Sequence, residues 1–169
     1  MGPLVVNVAD LLHRPGTHRD EHLRARLEGL RVVDTTVPAE GDVVVDVRLE
    51  SVHDGVLATG AVGAPWTGEC RRCLRPVAGQ VESRFQELFE PRPTEGETWP
   101  LRQERTDLEP LVREAVLVEL PLAPLCREDC RGLCPSCGAD LNQGQCACVR
   151  VERDPRWAAL DALRTDLDS

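Results

Sequence analysis

The chain has 169 residues, enough for one domain with a real core and too few for two full ones. Its composition, 41% hydrophobic and 29% charged, is that of a globular protein, and no apolar run approaches the ~20 residues of a membrane span. The 20 basic residues, all Arg, face 29 acidic ones; the formal net charge of −9 excludes a duplex-DNA coat, because phosphate contacts supply most non-specific nucleic-acid affinity.

An RNA contact would therefore need a local basic patch or a basic partner. Two Phe, three Trp and no Tyr leave little material for a base-stacking platform. Residues 1–10 lack the basic, apolar and small-residue order of a secretory signal, so the cytoplasm is the expected compartment and a membrane role is not expected.

In chain order, residues 4–8 predict a short strand. Residues 20–30 (DEHLRARLEGL) carry Leu23, Leu27 and Leu30 at helical spacing behind Asp20 and Glu21, and predict a helix. A strand is expected over 31–37. The clearest β signal is 42–50, where Val43, Val45, Val47 and Leu49 share one face and Val44, Asp46, Arg48 and Glu50 the other. His53-Asp54-Gly55 supplies turn residues for a hairpin into 56–62. A second hairpin is expected to run from 66–70, through a tip carrying two cysteines, and back along 77–89. Residues 91–105, rich in Pro, Gly and Glu, predict a surface loop. Asp107 is placed to cap a helix that tolerates Pro110 in its first turn, shows a stripe of Leu108, Leu111, Val112, Ala115 and Val116, and stops at Pro121. Residues 121–150 are cysteine-dense, and Asp154-Pro155 predicts a last helix with Trp157, Leu160 and Leu163 on one side.

The eight cysteines are the sharpest signal: Cys70, Cys73, Cys126, Cys130, Cys134, Cys137, Cys146 and Cys148. A reducing compartment disfavours a disulfide framework and favours metal. Cys134-Pro-Ser-Cys137-Gly is a tight knuckle in which backbone amides point at sulfur and Gly lets the chain turn beneath an ion. Cys134, Cys137, Cys146 and Cys148 together offer four thiolates to zinc. Cys70 and Cys73 from a hairpin tip, with Cys126 and Cys130 from a loop after a helix, could form a second site. The rival is a single zinc in which Cys126 or Cys130 joins Cys134 and Cys137. Eight thiolates and two zinc ions move the formal charge from −9 to −13, so nearby cations matter: Arg71, Arg72, Arg75, Arg127, Arg131, Arg150, Arg153 and Arg156. They either compensate thiolate charge or form a small phosphate patch. Closed four-thiolate sites have no vacancy for substrate, so they read as structural.

Other chemistry fails on inspection. His18 and His22 would share a helical face but lack a metal motif, and His13 and His53 are isolated. There is no phosphate-binding Gly loop and no serine elbow. Cys70-Arg-Arg-Cys73 as a redox pair would want a thioredoxin-like βαβ context, which a hairpin does not supply. Arg14, Arg19, Arg24, Arg26 and Arg31 make the N-terminal segment locally basic, as many solvated helices are.

The runs GECRRCLRPV at 68–77, DLEPLVREAVLVELPLAPLC at 107–126, CREDCRGLCPSCGADLN at 126–142 and DPRWAALDAL at 154–163 resemble the YceD family, whose name refers to large-subunit ribosomal RNA accumulation. The cysteine-rich tail is similar to that of a Gram-positive, actinobacterial branch. The resemblance implies a non-enzymatic cytoplasmic factor supporting synthesis, processing or stability of large-subunit rRNA, with that rRNA, a ribosomal protein or a pre-ribosomal particle as partner and no DNA. The expected fold is α+β, mostly antiparallel β-sheet with a few helices and a C-terminal zinc-knuckle segment. Residues 1–120 are expected to form the core domain, and 121–169 a zinc-binding segment with its helix packed on it. Two alternative functions are a zinc-thiolate redox switch and an acidic adaptor for a basic ribosomal protein.

Overall fold

The structure, a computed structural model, describes residues 2–12 and 14–148. Nine strands and one helix lie among them: β1 Val5–Asn7, β2 His18–Ala25, β3 Arg31–Val32, β4 Thr35–Thr36, β5 Val43–Ser51, β6 Val56–Glu69, β7 Pro76–Glu90, β8 Trp99–Arg102, β9 Arg105–Asp107 and α1 Glu109–Glu119. The strands form one curled, mixed sheet in the order β1-β9-β8-β7-β6-β4-β3, with β5 also pairing β6 and β2 pairing β5. All neighbours are antiparallel except β7 and β8.

The alternation that predicts β5 is what buries it. Val43, Val45, Val47 and Leu49 are buried and face a core shared with Val56, Ala58 and Val62 of β6 and Phe85 and Phe89 of β7. Helix α1 closes this core with Leu111, Val112 and Val116. Burying an aromatic such as Phe89 contributes on the order of 2–3 kcal/mol, and Phe89 also stacks with Trp99, ring centroids 6.4 Å apart. No helix among the described residues is long and apolar enough to cross a membrane.

What positions the site is the length mismatch between strands. β6 pairs β7 from Val56↔Phe89 to Glu69↔Pro76, but β5 accompanies β6 only as far as Gly63. Beyond that point β6 and β7 run on as a ribbon, with β4 touching it at Thr36↔Thr67. Along the ribbon β7 carries half-buried residues only at alternate positions and none is fully buried before Phe85. A two-stranded ribbon is marginal in water, so its far end needs another source of order. Part of that order is the Trp66 indole, seated over its cross-strand partner Gly79, where a Cβ would lie 2.9 Å from the ring.

Four expectations are corrected. Residues 20–30 do not form a helix: β2 is antiparallel to β5, in register from His18↔Glu50 to Ala25↔Val43. Its Arg19, Glu21, Leu23 and Ala25 face inward at period two, and cross-strand pairs Arg48–Asp20 (2.8 Å) and His22–Asp46 (2.6 Å) join its outer face to β5. Leu27 and Leu30 are buried from the connection that follows, which turns at Gly29 with φ 77°. Residues 31–37 are not one strand but the β3–β4 turn, with Val33 at φ 52°. Residues 91–105 are not all loop, since β8 and the start of β9 lie there. The strands expected at 56–62 and 66–70 are a single β6.

Helix α1 begins one residue later than the sequence suggests. Leu108 occupies the cap position, while the Asp107 carboxylate accepts the Glu109 N–H at 3.0 Å. Leu120 turns to extended backbone before Pro121, which ends the helix as proline requires. The helix expected near Asp154 lies outside the described residues.

Candidate metal centres

The tip of the β6–β7 ribbon and the Cys134 turn share one backbone design. At the tip, Cys70 N–H bonds the Arg75 carbonyl at 2.8 Å and Leu74 N–H bonds the Cys70 carbonyl at 2.9 Å. At the second turn, Cys134 N–H bonds the Ala139 carbonyl at 2.8 Å and Gly138 N–H bonds the Cys134 carbonyl at 2.9 Å. In both, the residue after the second cysteine has positive φ: 59° at Leu74 and 73° at Gly138. Glycine takes that conformation freely, whereas leucine does so at a cost of roughly 1–2 kcal/mol. Leu74 is 59% exposed, so no packing of its side chain offsets that cost. The Gly signature makes the second knuckle's turn readable from sequence; the first shows only its pair of cysteines at a hairpin tip.

The chain after α1 is led to the ribbon tip by backbone. Thr35 Oγ1 donates to the Pro121 carbonyl at 2.7 Å, and Arg71 N–H bonds the Pro124 carbonyl at 2.9 Å. Cys126 and Cys130 thereby reach Cys70 and Cys73. The Sγ of Cys70 lies 3.8 Å from that of Cys130, and the Sγ of Cys73 lies 3.6 Å from that of Cys126. All four sulfurs fall within 4.8 Å of one another. A disulfide needs about 2.05 Å, so these are free thiols. A tetrahedral ion with Zn–S bonds of about 2.3 Å would set sulfurs about 3.8 Å apart, which the four positions fit. Cys70, Cys73 and Cys130 are buried and pack with Val77, Leu125 and Leu133 in a small cluster of their own.

Cys134, Cys137, Cys146 and Cys148 make the second tetrad, again with all sulfurs within 4.8 Å. Of these only Cys134 is buried; Cys137 and Cys148 are exposed. The structure thus brings Cys126 and Cys130 to Cys70 and Cys73, and groups neither with Cys134 and Cys137.

Electrostatics within each tetrad alternate. At Cys70 burial opposes ionisation, but the N–H groups of Cys126, Arg72 and Cys73 outweigh it and lower the thiol to about 6. At Cys134 the N–H groups of Cys137 and Ser136 do the same, again to about 6. Burial also opposes ionisation at Cys130, where the Gly132 N–H and the Asn142 amide prevail and lower it. At Cys73 the Arg75 N–H favours the thiolate, yet burial and the neighbouring sulfurs push the thiol up. Burial followed by neighbouring thiolates pushes Cys126 to about 12, and the Cys137 sulfur followed by burial does so at Cys148. Without a cation, each cluster can ionise only in part, because like charges this close repel. A divalent cation removes that conflict, which is the chemical fit between these donor sets and a metal.

Around the sulfurs lies a polar frame that the cysteine spacing does not reveal. Arg72 Nη1 donates to the carbonyls of Glu128 (3.0 Å) and Cys130 (2.9 Å). Asn142 Nδ2 donates to Cys130 Sγ at 3.5 Å and to Asp140 Oδ1 at 2.7 Å, while its Oδ1 accepts from Arg127 Nη2 and the Arg131 N–H, both at 2.8 Å. Asp140 also accepts from Arg75, from Gln143 Nε2 at 3.1 Å and from the Asn142 N–H at 2.9 Å. The Asn142 groups, then the Gln143 amide and the Arg75 guanidinium, hold its carboxyl well below the usual range against the opposing effect of burial. Arg72 is thus tied into this frame through carbonyls, Arg75 through Asp140, and Arg127 through Asn142 and Asp129. Among the described residues, the side chains of Arg71 and Arg131 make no such bond; Arg150, Arg153 and Arg156 lie outside them. Among the described residues no histidine joins either cluster: His18 and His22 are on β2 and His53 is in the β5–β6 turn; His13 lies outside the described residues.

Against known proteins, residues 58–164 match the family described as Large ribosomal RNA subunit accumulation protein YceD. An uncharacterized protein of Mycobacterium tuberculosis (strain ATCC 25618 / H37Rv) is 41% identical, covering 94% of this chain and 80% of the relative. One from Mycobacterium leprae is 34% identical over 99% of this chain and 81% of the relative. The Arabidopsis thaliana Large ribosomal RNA subunit accumulation protein YCED homolog 1, chloroplastic, is 32% identical over 85% of this chain and 56% of its own length. No solved structure matches. The match begins in β6, includes all eight cysteines and extends past the last of them, and on it the chain belongs to the YceD family.

Proposed function

We propose that this protein is a non-enzymatic cytoplasmic factor that supports the synthesis, processing or stability of large-subunit ribosomal RNA by binding, and that its two cysteine tetrads hold structural zinc. The observation that carries the zinc reading is the twofold convergence of four sulfurs within 4.8 Å. Cys70, Cys73, Cys126 and Cys130 would hold one ion, and Cys134, Cys137, Cys146 and Cys148 the other. Four thiolates complete a tetrahedral shell and leave no position for water or substrate, the arrangement of a structural rather than catalytic zinc. What the metal supplies is folding free energy, on the order of 10–16 kcal/mol per site in small zinc modules. The rRNA reading rests on family membership and on the name of the plant relative.

The test is complementation of cells depleted of the protein, with the ratio of large- to small-subunit rRNA as readout. Wild type should restore the ratio, and a chain lacking one centre, Cys70→Ser with Cys73→Ser, should fail to. An unchanged ratio on depletion would remove the rRNA reading. The net charge of −9 favours a second reading, an adaptor for a basic ribosomal protein. Pull-down at two salt concentrations separates the two: a partner that survives RNase and is lost at high salt is a basic protein.

A further inference from the structure

The two tetrads are separate in sequence but share a frame, and the shared residues belong to neither set of cysteines. The segment carrying the second tetrad is docked on the first through four contacts. Leu133 N–H bonds the Arg72 carbonyl at the ribbon tip (3.1 Å), and Leu141 N–H bonds the Gly132 carbonyl (2.9 Å). Asp140, inside the second tetrad's loop, takes Arg75 from the first knuckle. Asn142, two residues on, reaches Cys130 Sγ of the first tetrad and bonds Asp140 at the same time. Gly132 makes the close approach possible: its φ is +73°, and a Cβ there would lie 2.8 Å from the Arg72 carbonyl oxygen.

We propose that the two centres fill cooperatively, with Asp140 and Asn142 as the positioning residues that carry the coupling. The argument rests on the zinc reading above and extends it. Closing the first tetrad fixes Cys130, Arg127 and Arg131, and so fixes the three groups that hold Asn142: a sulfur, a guanidinium and a backbone N–H. Asn142 and Arg75 together fix Asp140, and with it the loop that must bring Cys137 and Cys146 together. That loop is ordered once, whichever metal arrives first, so the second ion meets a smaller ordering cost. Linkage makes the effect mutual: each ion raises the affinity for the other by the same factor. Because three of its four cysteines are buried, two at the ribbon tip and one in the segment led to it, the first tetrad is the better organised and fills first.

The experiment is an anaerobic titration of the reduced, metal-free full chain with cobalt(II), read through its thiolate charge-transfer bands. Wild type should bind two ions with positive cooperativity. Asn142→Ala removes no ligand and should still bind two, but with coupling reduced about 10-fold, within the range of 5- to 150-fold found for coupled sites. It should also move the first centre's charge-transfer band to lower energy, since Cys130 loses an N–H bond that withdraws charge from its sulfur. As a second arm, Cys70→Ser with Cys73→Ser should weaken the second centre about 10- to 100-fold in the wild-type background, and about 10-fold less than that in the Asn142→Ala background. Two independent, equal sites in wild type, or undiminished cooperativity in Asn142→Ala, would overturn the coupling and leave the zinc reading intact. A wild type with no thiolate bands at all would overturn both.

Discussion

The two cysteine tetrads have the same donor set and a related knuckle, yet they are built in opposite ways. The first joins points 53 and 60 residues apart, at the end of a ribbon that outruns its sheet, and is largely buried. The second is closed within residues 134–148 and has two exposed cysteines. A cross-link between distant points removes more conformational freedom from the unfolded chain than one within a short loop. A metal held by the first tetrad would therefore staple the whole ribbon, whereas one held by the second would shape only its own loop, which docks on the first. The same donor set would thus serve two structural ends, decided by where the cysteines lie along the chain.

The comparison can be broken most forcefully by removing metal. Chelation should free amide exchange along the outer part of the β6–β7 ribbon and in residues 121–148, with the Phe89 core keeping its protection; the loss exceeds any single substitution because structural zinc contributes on the order of 10–16 kcal/mol per site. Uniform loss of protection would mean that the core has no independent stability. Oxidation sharpens the comparison next. Thiolate reactivity follows exposure, so modest peroxide should release the first equivalent of zinc from the second centre, with Cys137 and Cys148 modified ahead of Cys70 and Cys130 in peptide mapping. Release from both at one rate would contradict the difference in burial. Loss of the RNA or protein partner along with that first ion would give weight to a redox switch.

The smallest effect is Leu74→Gly, which relieves roughly 1–2 kcal/mol of backbone strain and returns about 0.5–1 kcal/mol through the freer unfolded chain. Its expected net gain is about 0–1.5 kcal/mol in denaturant melts of the loaded protein; a loss would show that the exposed Leu74 side chain has a packing role.

How much of this was legible follows from the range over which each signal acts. The second tetrad is a local pattern, and Cys-Pro-Ser-Cys-Gly declares its turn through glycine. The first was readable only as two cysteine pairs with several possible groupings, because nothing near Cys70 names its partner 60 residues away. β5 was plain from its valines. β2 was misread because Leu23, Leu27 and Leu30 imitate a helical stripe; their burial comes from a strand and the connection after it, and pairing with β5 overrode the local pattern. Asp140 and Asn142 look like ordinary turn residues in sequence. Their role depends on Arg75 and Cys130 arriving from elsewhere, which only the folded chain shows.

The most direct test is metal stoichiometry by elemental analysis on protein purified without added metal, with reactive thiols counted before and after chelation. The account predicts two zinc ions per chain, few reactive thiols in the native protein and eight after chelation. One zinc with about four reactive thiols would contradict it, leaving one tetrad open and the ribbon without its staple.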